Sequence, residues 1–374
     1  MHILLNGLTQ RPGGGLVVLE GLVSGLAGAS DDLTLTVLAY DEVVYSTLVG
    51  LNYRNVNVIQ APKLNGLIDK LIVPFRVRTA SRNQQCDLVL TLNFFIPLIP
   101  VPQIVYHVDM ERFEHHSVFP VTLHNILEKI RDRSARRALN SANANVFESV
   151  FLQKTAETHC ALKPRRPSVI YIGIKQDTLL NLSDKHSQLS DGLIVAVTNP
   201  LGYKNSLAMV PVLAGLIQQE PEVDWKLRIF GGQGESAWSE LIQAASHAGV
   251  SDKIEFMGYQ SREVLNESLD VAICLLNTSL LESFCMVALE AMARRCPVIV
   301  SASAAMPESV GDAGIVIEPD NTDKIVEEIL RLRFDSEFRA MIEAKSVQRA
   351  AELTWEKSGK AFYELGRSLT NSSV

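Results

Sequence analysis

Glu282 and Glu290 are the residues of this sequence whose type and spacing most clearly suit chemistry. Seven residues separate them, and Glu290 is the only charged residue between Ser283 and Ala293. A helix this apolar is largely buried, so a carboxylate on it needs a partner or its pKa rises. If the helix begins near Phe284, Glu290 lies roughly 7–8 Å along the helix axis from its start.

The start of this helix is a candidate anion site. The amides at about Cys285 and Met286 would be free in the first turn, where the helix dipole favours a diphosphate. Glu290 could then accept hydrogen bonds from a ribose diol beside that diphosphate. Glu282, in the loop before the helix, would face the group attached to the other phosphate. A structural alternative is that Glu282 complements the helix dipole while Glu290 lies on a solvated edge.

Three other features follow predicted strands. Gly13–Gly15 follows the first strand, and a glycine-rich loop lets a helix N-terminus approach a phosphate or sugar closely. Lys204 is a mobile point charge suited to a diphosphate whose negative charge grows as a bond to it breaks. His107, with Asp109 two residues on, could hydrogen-bond a sugar hydroxyl. The structural alternatives are a plain turn for Gly13–Gly15, a surface lysine at a helix start for Lys204, and a structural histidine that supports its neighbours for His107.

Alternating strands and helices position these residues. Short β-branched apolar runs are separated by segments with helical periodicity, which is typical of parallel sheets covered by helices. Strands are predicted at 3–5, 33–39, 56–59, 88–92, 104–107, 145–147, 169–172, 193–197, 226–230, 254–257, 271–275, 298–301 and 315–317. The polar stretch 176–190 interrupts the alternation and is predicted to be a linker. In two doubly wound domains, ligands bind at the carboxyl ends of the strands.

Composition excludes several classes of protein. The 374 residues are 47% hydrophobic and 21% charged, which is typical of a soluble protein of about two domains. The five cysteines form no Cys-x-x-Cys pair, which favours reduced thiols over disulfides or a zinc site. Residues 1–185 carry 19 basic and 16 acidic side chains and the remainder 16 and 26, too acidic a balance for a nucleic-acid-binding protein. The first residues do not form a signal peptide, so a cytoplasmic protein is expected.

The glutamate pair and its surroundings resemble the retaining family 4 glycosyltransferases of GT-B fold, of the bacterial polysaccharide-biosynthesis type. Ala291-Met292-Ala293 and Cys296-Pro297 follow the pair as they do in that family. Other pieces occur in the family's order at residues 13–15, 107–109, 144–149, 204–205, 231–234, 256–259 and 355. The resemblance implies an α/β protein of two Rossmann-like, doubly wound domains that face each other across a cleft.

The resemblance also implies a site. The donor-binding set is Gly14, Gly15, Thr198, Asn199, Met257, Gly258, Tyr259, Ser283, Phe284, Cys285, Met286 and Glu290, and the catalytic set is His107, Lys204 and Glu282. The backbone near Met257–Tyr259 would read the base, Glu290 the ribose and Lys204 the diphosphate. The implied donor is a nucleotide sugar, with UDP-glucose as the leading candidate, and no metal or other cofactor is needed.

Departures from the family pattern bear on donor identity. The family often has Gly-Arg before the lysine, whereas this chain has Val197-Thr198-Asn199, so Thr198 or Asn199 would donate neutral hydrogen bonds instead. Ser283 and Cys285 stand where the family has glycines, which predicts a stiffer loop. Arg294-Arg295 replaces a small residue and a glycine.

Three other functions are weighed against this one. Residues 232–237 fit G-x-G-x-x-A, with Glu255 about twenty residues on, as in a dinucleotide-binding dehydrogenase. A sugar-nucleotide epimerase of the same fold would need no acceptor. A non-catalytic sugar-nucleotide-binding subunit would account for the missing arginine.

The expected organisation is an acceptor domain at 1–175, a linker at 176–190, a donor domain at 191–354 and a final helix at 355–374 that packs back on the first domain. Basic residues interleave with apolar ones in two predicted helices, 63–82 and 123–139. Such helices either present a solvated face or dock on an anionic membrane leaflet. The acceptor is then expected to be a saccharide or a lipid-linked saccharide at the inner membrane face.

Overall fold

The chain divides into two units, each built on its own parallel sheet. Unit 1 comprises Met1–Lys175 and Leu353–Val374, and unit 2 comprises Gln176–Glu352. The computed structural model describes residues 1–62, 67–110, 113, 124–179, 190–232 and 235–371, without the side chains of 67–71, 124–132, 177, 235 and 236.

Within the described ranges, unit 1 has a seven-stranded sheet of order β3-β2-β1-β4-β5-β6-β7. Its strands are β1 His2–Asn6, β2 Thr34–Ala39, β3 Val56–Gln60, β4 Leu88–Leu92, β5 Gln103–His107, β6 Ala144–Phe147 and β7 Pro167–Val169. Strands β4, β5 and β6 are buried along their whole length, which explains why most of their residues are apolar. The helices are α1 Gly14–Ala27, α2 Glu42–Gly50, α3 Leu67–Asn83, α4 His124–Ser141 and α5 Val150–Cys160, with the last helix of the chain, α13 Trp355–Asn371.

Unit 2 has, in its described part, a six-stranded sheet of order β10-β9-β8-β11-β12-β13. Its strands are β8 Gly192–Val197, β9 Trp225–Phe230, β10 Ile254–Gly258, β11 Cys274–Asn277, β12 Val298–Ser301 and β13 Ile315–Ile317. The helices are α6 Met209–Gln219, α7 Ser239–Ala248, α8 Arg262–Val271, α9 Met286–Ala293, α10 Met306–Val310, α11 Thr322–Phe334 and α12 Ser336–Glu352. The core of the unit is centred on buried Trp225, Met209 and Trp238.

The predicted strands agree with the structure to within one residue at each end, except for β7 and β11. Strand β7 is Pro167–Val169, not 169–172, because its ladder pairs Asn145 with Pro167 and ends at Val169. Strand β11 begins at Cys274, not 271, because Val271 is the last residue of α8. Both errors arise where an apolar run continues past the end of an element, which periodicity cannot show.

Helix α13 packs on α1 through three glycines and one tryptophan. A Cβ atom on Gly21 would lie 1.9 Å from Cε2 of Trp355, and one on Gly25 would lie 2.0 Å from the Trp355 carbonyl oxygen. A Cβ atom on Gly359 would lie 2.1 Å from the Gly25 carbonyl. The close approach therefore requires glycine, and it joins the end of the chain to unit 1.

The strand order places the loops that carry the candidate residues. In each sheet the first strand of the unit lies between the second and the fourth. The strand order therefore reverses between β1 and β4 in unit 1 and between β8 and β11 in unit 2. Crevices at the carboxyl ends of such strands bind ligands. In unit 2 the relevant loops are 198–205, after β8, and 278–285, after β11.

The basic residues noted in the sequence lie on α3 and α4. Lys63 and the side chains of Lys70, Lys129 and Arg131 fall outside the described residues. The Arg76 guanidinium lies 4.8 Å from the centre of the Tyr40 ring. Of the helices described, none is both long enough and apolar enough to cross a bilayer.

Candidate active site

The two loops at the reversal point of unit 2 are tied together. The Leu280 amide donates to the Tyr203 carbonyl oxygen at 2.7 Å, and the Thr278 hydroxyl donates to the Asn205 carbonyl oxygen at 2.9 Å. Asn205 has φ of 49°, in the left-handed region that asparagine tolerates better than most residues. These bonds bring residues far apart in sequence to one edge of the sheet.

Lys204 and Glu282 form an ion pair at this edge. The Lys204 Nζ lies 2.7 Å from Glu282 Oε1, and each side chain is 18% exposed. Lys204 ends a short 3₁₀ turn, Gly202–Lys204, after β8, while Glu282 lies in the loop after β11. The structure therefore joins the residue predicted to hold a diphosphate to the residue predicted to hold the sugar. An entering polyanion would compete with Glu282 for the ammonium group.

Glu290 lies in the middle of α9 and pairs with Arg262, the first residue of α8. The Arg262 Nη2 lies 3.5 Å from Glu290 Oε1, and the side chains are 52% and 22% exposed, respectively. Burial raises the pKa of Glu290, and the Arg262 guanidinium acts in the opposite direction. The sequence correctly indicated that Glu290 needs a partner, but it did not identify Arg262.

The expectation of a free Cys285 amide is wrong. Helix α9 begins at Met286, and the Cys285 amide donates to Ser309 Oγ at 3.1 Å. Ser309 is fully buried on α10, and its hydroxyl in turn donates to the Ala305 carbonyl oxygen at 2.9 Å. Among the described residues no acceptor bonds the amides of Met286 and Val287, so these two are the anion-binding candidates.

The side chain of Cys285 is held inside the loop. Asn277 Nδ2 donates to Cys285 Sγ at 3.1 Å, and Asn277 Oδ1 accepts the Ser279 amide at 3.0 Å. Burial, with a smaller contribution from the Glu282 charge, raises the pKa of the Cys285 thiol to about 12. The thiol is therefore neutral and unreactive, and it acts as a packing group. Phe284 is buried as well, whereas its neighbour Ser283 is half-buried. Ser283 is therefore the more accessible of these two loop residues.

Thr198 and Asn199 bind the neighbouring strand ends. The Thr198 amide donates to the Phe230 carbonyl oxygen at 2.9 Å, and Asn199 Oδ1 accepts the Gly232 amide at 3.2 Å. Gly231 has φ of 102°, and a Cβ atom there would lie 2.3 Å from the Thr198 carbonyl oxygen. With its oxygen engaged, Asn199 has its amide nitrogen left as a hydrogen-bond donor, and a contact of this nitrogen with a diphosphate stays a prediction.

The loop predicted to read a base, Met257–Tyr259, lies at the end of β10. Gly258 has φ of 64°, its carbonyl oxygen accepts the Gly231 amide at 2.8 Å, and Tyr259 is largely exposed. Gln260 Nε2 donates to the Met257 carbonyl oxygen at 2.7 Å. Helix α8 begins two residues later with Arg262, so this loop and Glu290 are linked through that arginine.

The dinucleotide pattern at 232–237 does not have its expected geometry. Glu255 is paired with Arg228, whose Nε lies 2.7 Å from Glu255 Oε2. A Cβ atom on Gly232 would lie 2.6 Å from the Trp238 indole nitrogen, which fills the space beside the loop. Strand β9 is also the second strand of its unit and not the first. Residues 233 and 234 lie outside the described residues.

Arg294 and Arg295, which depart from the family pattern, have structural partners. The Arg294 Nε donates to Asp270 Oδ1 at 2.7 Å and so joins the end of α9 to α8. Arg295, at φ of 60°, lies 3.6 Å from Glu343 of α12. The pair therefore anchors the far end of α9 and does not belong to the loops of the candidate site.

In unit 1, His107 is buried. The ring is 1% exposed at the end of β5, its Nε2 lies 3.0 Å from Asn145 Oδ1, and it stacks on Phe147 with centroids 4.7 Å apart. The structure therefore places His107 in a buried position, and its contact with a sugar hydroxyl stays a prediction. The neighbouring His115-His116 pair lies outside the described residues.

The glycine loop of unit 1 is open. Helix α1 begins at Gly14, and Gly13 before it has φ of 116°, which favours glycine. Cβ atoms on Gly13 or Gly14 would meet nothing within 4 Å, whereas one on Gly15 would lie 2.5 Å from Gln10 Oε1. The backbone of Gly13 and Gly14 is thus accessible to a group that approaches the start of α1.

Comparison with known structures defines the fold class. The chain superposes on sucrose-phosphate synthase from Thermosynechococcus elongatus with a TM-score of 0.76 at 15% identity, covering 100% of both chains. It superposes on Anabaena HepE in complex with UDP-glucose with a TM-score of 0.73 at 16% identity, covering 99% of this chain and 100% of the other. With its two parallel Rossmann-like sheets, the chain has the predicted GT-B class of fold.

Comparison with known sequences points to glycosyltransferases. Residues 184–349, a little under half of the chain, match the model for "Glycosyl transferases group 1". The O-antigen chain mannosyltransferase B of Escherichia coli is 30% identical over 144 residues, 38% of this chain and 37% of the relative. The chain spans about two fifths of the length of the first curated relatives it matches. The resemblance to a glycosyltransferase is confirmed at this level.

Proposed function

We propose that this chain is a glycosyltransferase that moves a hexose from a nucleotide sugar to a saccharide or lipid-linked saccharide during synthesis of a cell-envelope or exported polysaccharide. The leading candidate for the donor is UDP-glucose, and the configuration at the anomeric carbon is retained. The Escherichia coli relative is an O-antigen chain mannosyltransferase, and HepE has been solved in complex with UDP-glucose. These names support the substrate class.

One observation carries the proposal. Two ion pairs, Lys204–Glu282 and Arg262–Glu290, lie in the segment that matches the glycosyl transferase family. Lys204 and Glu282 lie in loops at the carboxyl edge of the sheet, and Arg262 begins the helix that follows β10. A diphosphate needs positive charge, and a sugar or ribose needs carboxylate acceptors. This pairing of cations with partly accessible carboxylates supplies both.

In the proposed reaction the bond between the anomeric carbon and the diphosphate breaks, and a bond to an acceptor hydroxyl oxygen forms on the same face. The departing diphosphate oxygen takes the acceptor's proton, so atoms and charge balance. Lys204 and the amides of Met286 and Val287 offset the negative charge that grows on the diphosphate. Glu282 holds hydroxyls of the transferred sugar, and Glu290 holds the ribose.

No divalent metal is required in this proposal, because Lys204 and the helix amides supply the positive charge. Transfer is therefore expected to proceed unchanged in EDTA. Loss of transfer on chelation, with recovery on adding Mg²⁺ or Mn²⁺, would contradict this part of the proposal.

Thermal-shift measurements with UDP, GDP, ADP, dTDP and NAD test the donor site. A ligand at about 100 times its Kd stabilises the folded state by roughly 2.7 kcal/mol, a shift of a few degrees for a chain of this size. We expect one nucleoside diphosphate to shift the wild type and Glu290→Ala to lose that shift. A shift with NAD alone would overturn the proposal.

A non-catalytic sugar-nucleotide-binding subunit is the alternative function. It is favoured by Thr198 and Asn199, neutral residues where the family often has an arginine. Incubation with UDP-glucose and a panel of saccharide acceptors, read by mass spectrometry, separates the two. Binding of the donor without hydrolysis or transfer would favour the subunit, whereas a changed sugar without an acceptor would indicate an epimerase.

An anionic membrane surface is part of the acceptor proposal. Phe75 on α3 is exposed, and the Arg78 guanidinium lies 5.3 Å from the centre of its ring. An apolar ring beside cations suits the interface of an anionic leaflet. We expect flotation with phosphatidylglycerol liposomes at low salt and release at high salt. No flotation at low salt would favour a soluble acceptor.

A further inference from the structure

We propose that Arg262 is a positioning residue: it orients the Glu290 carboxylate so that this group accepts the ribose hydroxyls of the nucleotide. The proposal rests on the function proposed above, because it takes Glu290 as the ribose acceptor. Arg262 is not among the site residues predicted from the sequence, and its proposed role is to favour binding of ribose over deoxyribose.

The geometry leaves one carboxylate oxygen for a ligand. Arg262 Nη2 approaches Glu290 Oε1 at 3.5 Å, and within the described residues no donor contacts Oε2. Arg262 is the more exposed partner, at 52% against 22% for Glu290. The guanidinium therefore engages one oxygen of the carboxylate and leaves Oε2, which has two lone pairs, for the two hydroxyls of a diol.

The charge of Arg262 does not stabilise α8, the helix that this residue begins. A cation at the first residue of a helix opposes the helix dipole, whereas the acidic Glu263 beside it is favourable there. Glu290 is the only ion-pair partner of Arg262 in the described part of the chain. The arginine thus stabilises the carboxylate of the neighbouring helix and not the start of α8.

Because Glu290 is largely buried, its carboxylate needs a positively charged partner to stay ionised. Desolvation raises the pKa of Glu290, and the charge of Arg262 opposes that rise. An ionised carboxylate accepts hydrogen bonds through both oxygens, whereas a protonated one donates through one of them. Arg262 therefore favours the form of Glu290 that accepts both hydroxyls of a diol.

The other tie between α8 and α9 provides a matched control. Arg294, which caps the C-terminal end of α9 one turn beyond Glu290, pairs with Asp270 of α8. Arg294→Gln removes an arginine and an ion pair between the same two helices and leaves the Arg262–Glu290 pair in place. Any effect that arises from looser packing of α8 on α9 is expected in both variants.

The test measures the Kd of UDP and of 2′,3′-dideoxy-UDP by calorimetry, with the matching GDP pair in parallel. We expect wild type to prefer the ribonucleotide by roughly tenfold or more, since the lost bonds involve a charged acceptor. Arg262→Gln should reduce that preference by at least about threefold, and Arg262→Lys should recover part of it. Arg294→Gln should leave the preference unchanged.

A double-mutant cycle completes the test. In a Glu290→Gln background, adding Arg262→Gln should change neither Kd, because the arginine acts through the carboxylate. If Glu290→Gln abolishes the preference and Arg262→Gln keeps it in full, the role of Arg262 is refuted while the proposed function stands. Equal weakening of both nucleotides by Arg262→Gln would also refute it. If wild type binds no nucleoside diphosphate or shows no preference, the ribose assignment itself fails.

Discussion

The two sheets have the same strand order where that order reverses, but their carboxyl edges differ in the groups that they offer to a ligand. In unit 2 the edge carries the Lys204–Glu282 ion pair, whose side chains keep some contact with solvent. In unit 1 the residue expected to do chemistry, His107, is buried against Phe147 and Asn145, and the open part of the edge is the glycine backbone at the start of α1.

This difference separates recognition by charge from recognition by shape. Fixed charges at partial exposure bind ionic groups strongly, because water screens them less than on an open surface. A glycine backbone supplies space and amide donors but no net charge. We therefore expect substitutions in unit 2 to change affinity and rate, and substitutions at His107 to change stability.

Lys204→Ala is expected to have the largest effect. The loss of the cation beside the diphosphate should lower kcat by roughly 10²–10³, the scale of one preorganised electrostatic contact. The measurement is steady-state transfer from UDP-glucose. Lys226→Ala is the control, because Lys226 pairs with Asp224 in an exposed position on β9 and should leave kcat unchanged. An unaltered kcat for Lys204→Ala would remove Lys204 from the mechanism.

His107→Ala is expected to act on stability. Removing a buried ring and leaving Asn145 without this partner should cost about 2–3 kcal/mol. Chemical denaturation measures this loss, while the Kd of UDP should stay within about twofold of wild type, because the nucleotide site is proposed on unit 2. His247→Ala, on the exposed face of α7, is the matched control. A stable His107→Ala protein with a strongly reduced kcat would show that the imidazole contacts the sugar after all.

Gly13→Ala tests backbone strain before α1, whereas Gly14→Ala tests whether the donor reaches the start of this helix. Gly13 has φ of 116° and ψ of −155°, so alanine there should cost about 1–2 kcal/mol of stability. Gly14 is the first residue of α1, and its added methyl group meets nothing within 4 Å, so the fold should tolerate it. A raised KM for the donor with Gly14→Ala would support the predicted contact with the donor, and an unchanged KM would contradict it.

Glu282→Gln is expected to give the smallest change in binding, in an unusual direction. Removing the carboxylate frees Lys204 and takes a negative charge away from the diphosphate site. The Kd of UDP should therefore fall about threefold to tenfold, in line with the modest energy of a partly exposed ion pair. Sugar transfer should fall at the same time, because the sugar loses a carboxylate acceptor. Weaker binding of UDP would show that Glu282 and Lys204 act together on the nucleotide.

The elements of both sheets and the order of the residues along them can be predicted from the sequence alone. Period-two and apolar runs depend on neighbours in the chain, so strands such as β4 and β8 were predictable almost to the residue. The need of Glu290 for a partner was also visible, because an isolated carboxylate in an apolar helix is costly wherever the helix packs.

The partners of the site residues, in contrast, depend on tertiary packing. Lys204 and Glu282 are 78 positions apart, and Cys285 and Ser309 are 24 apart, so no local pattern joins them. Ser309 takes an amide that the helix rule leaves free, and Arg262 reaches Glu290 from a different helix. Whether His107 is exposed or buried also depends on Asn145 and Phe147 of the adjacent strand. Packing between elements sets these contacts, because burial and ion pairing act through space and not along the chain.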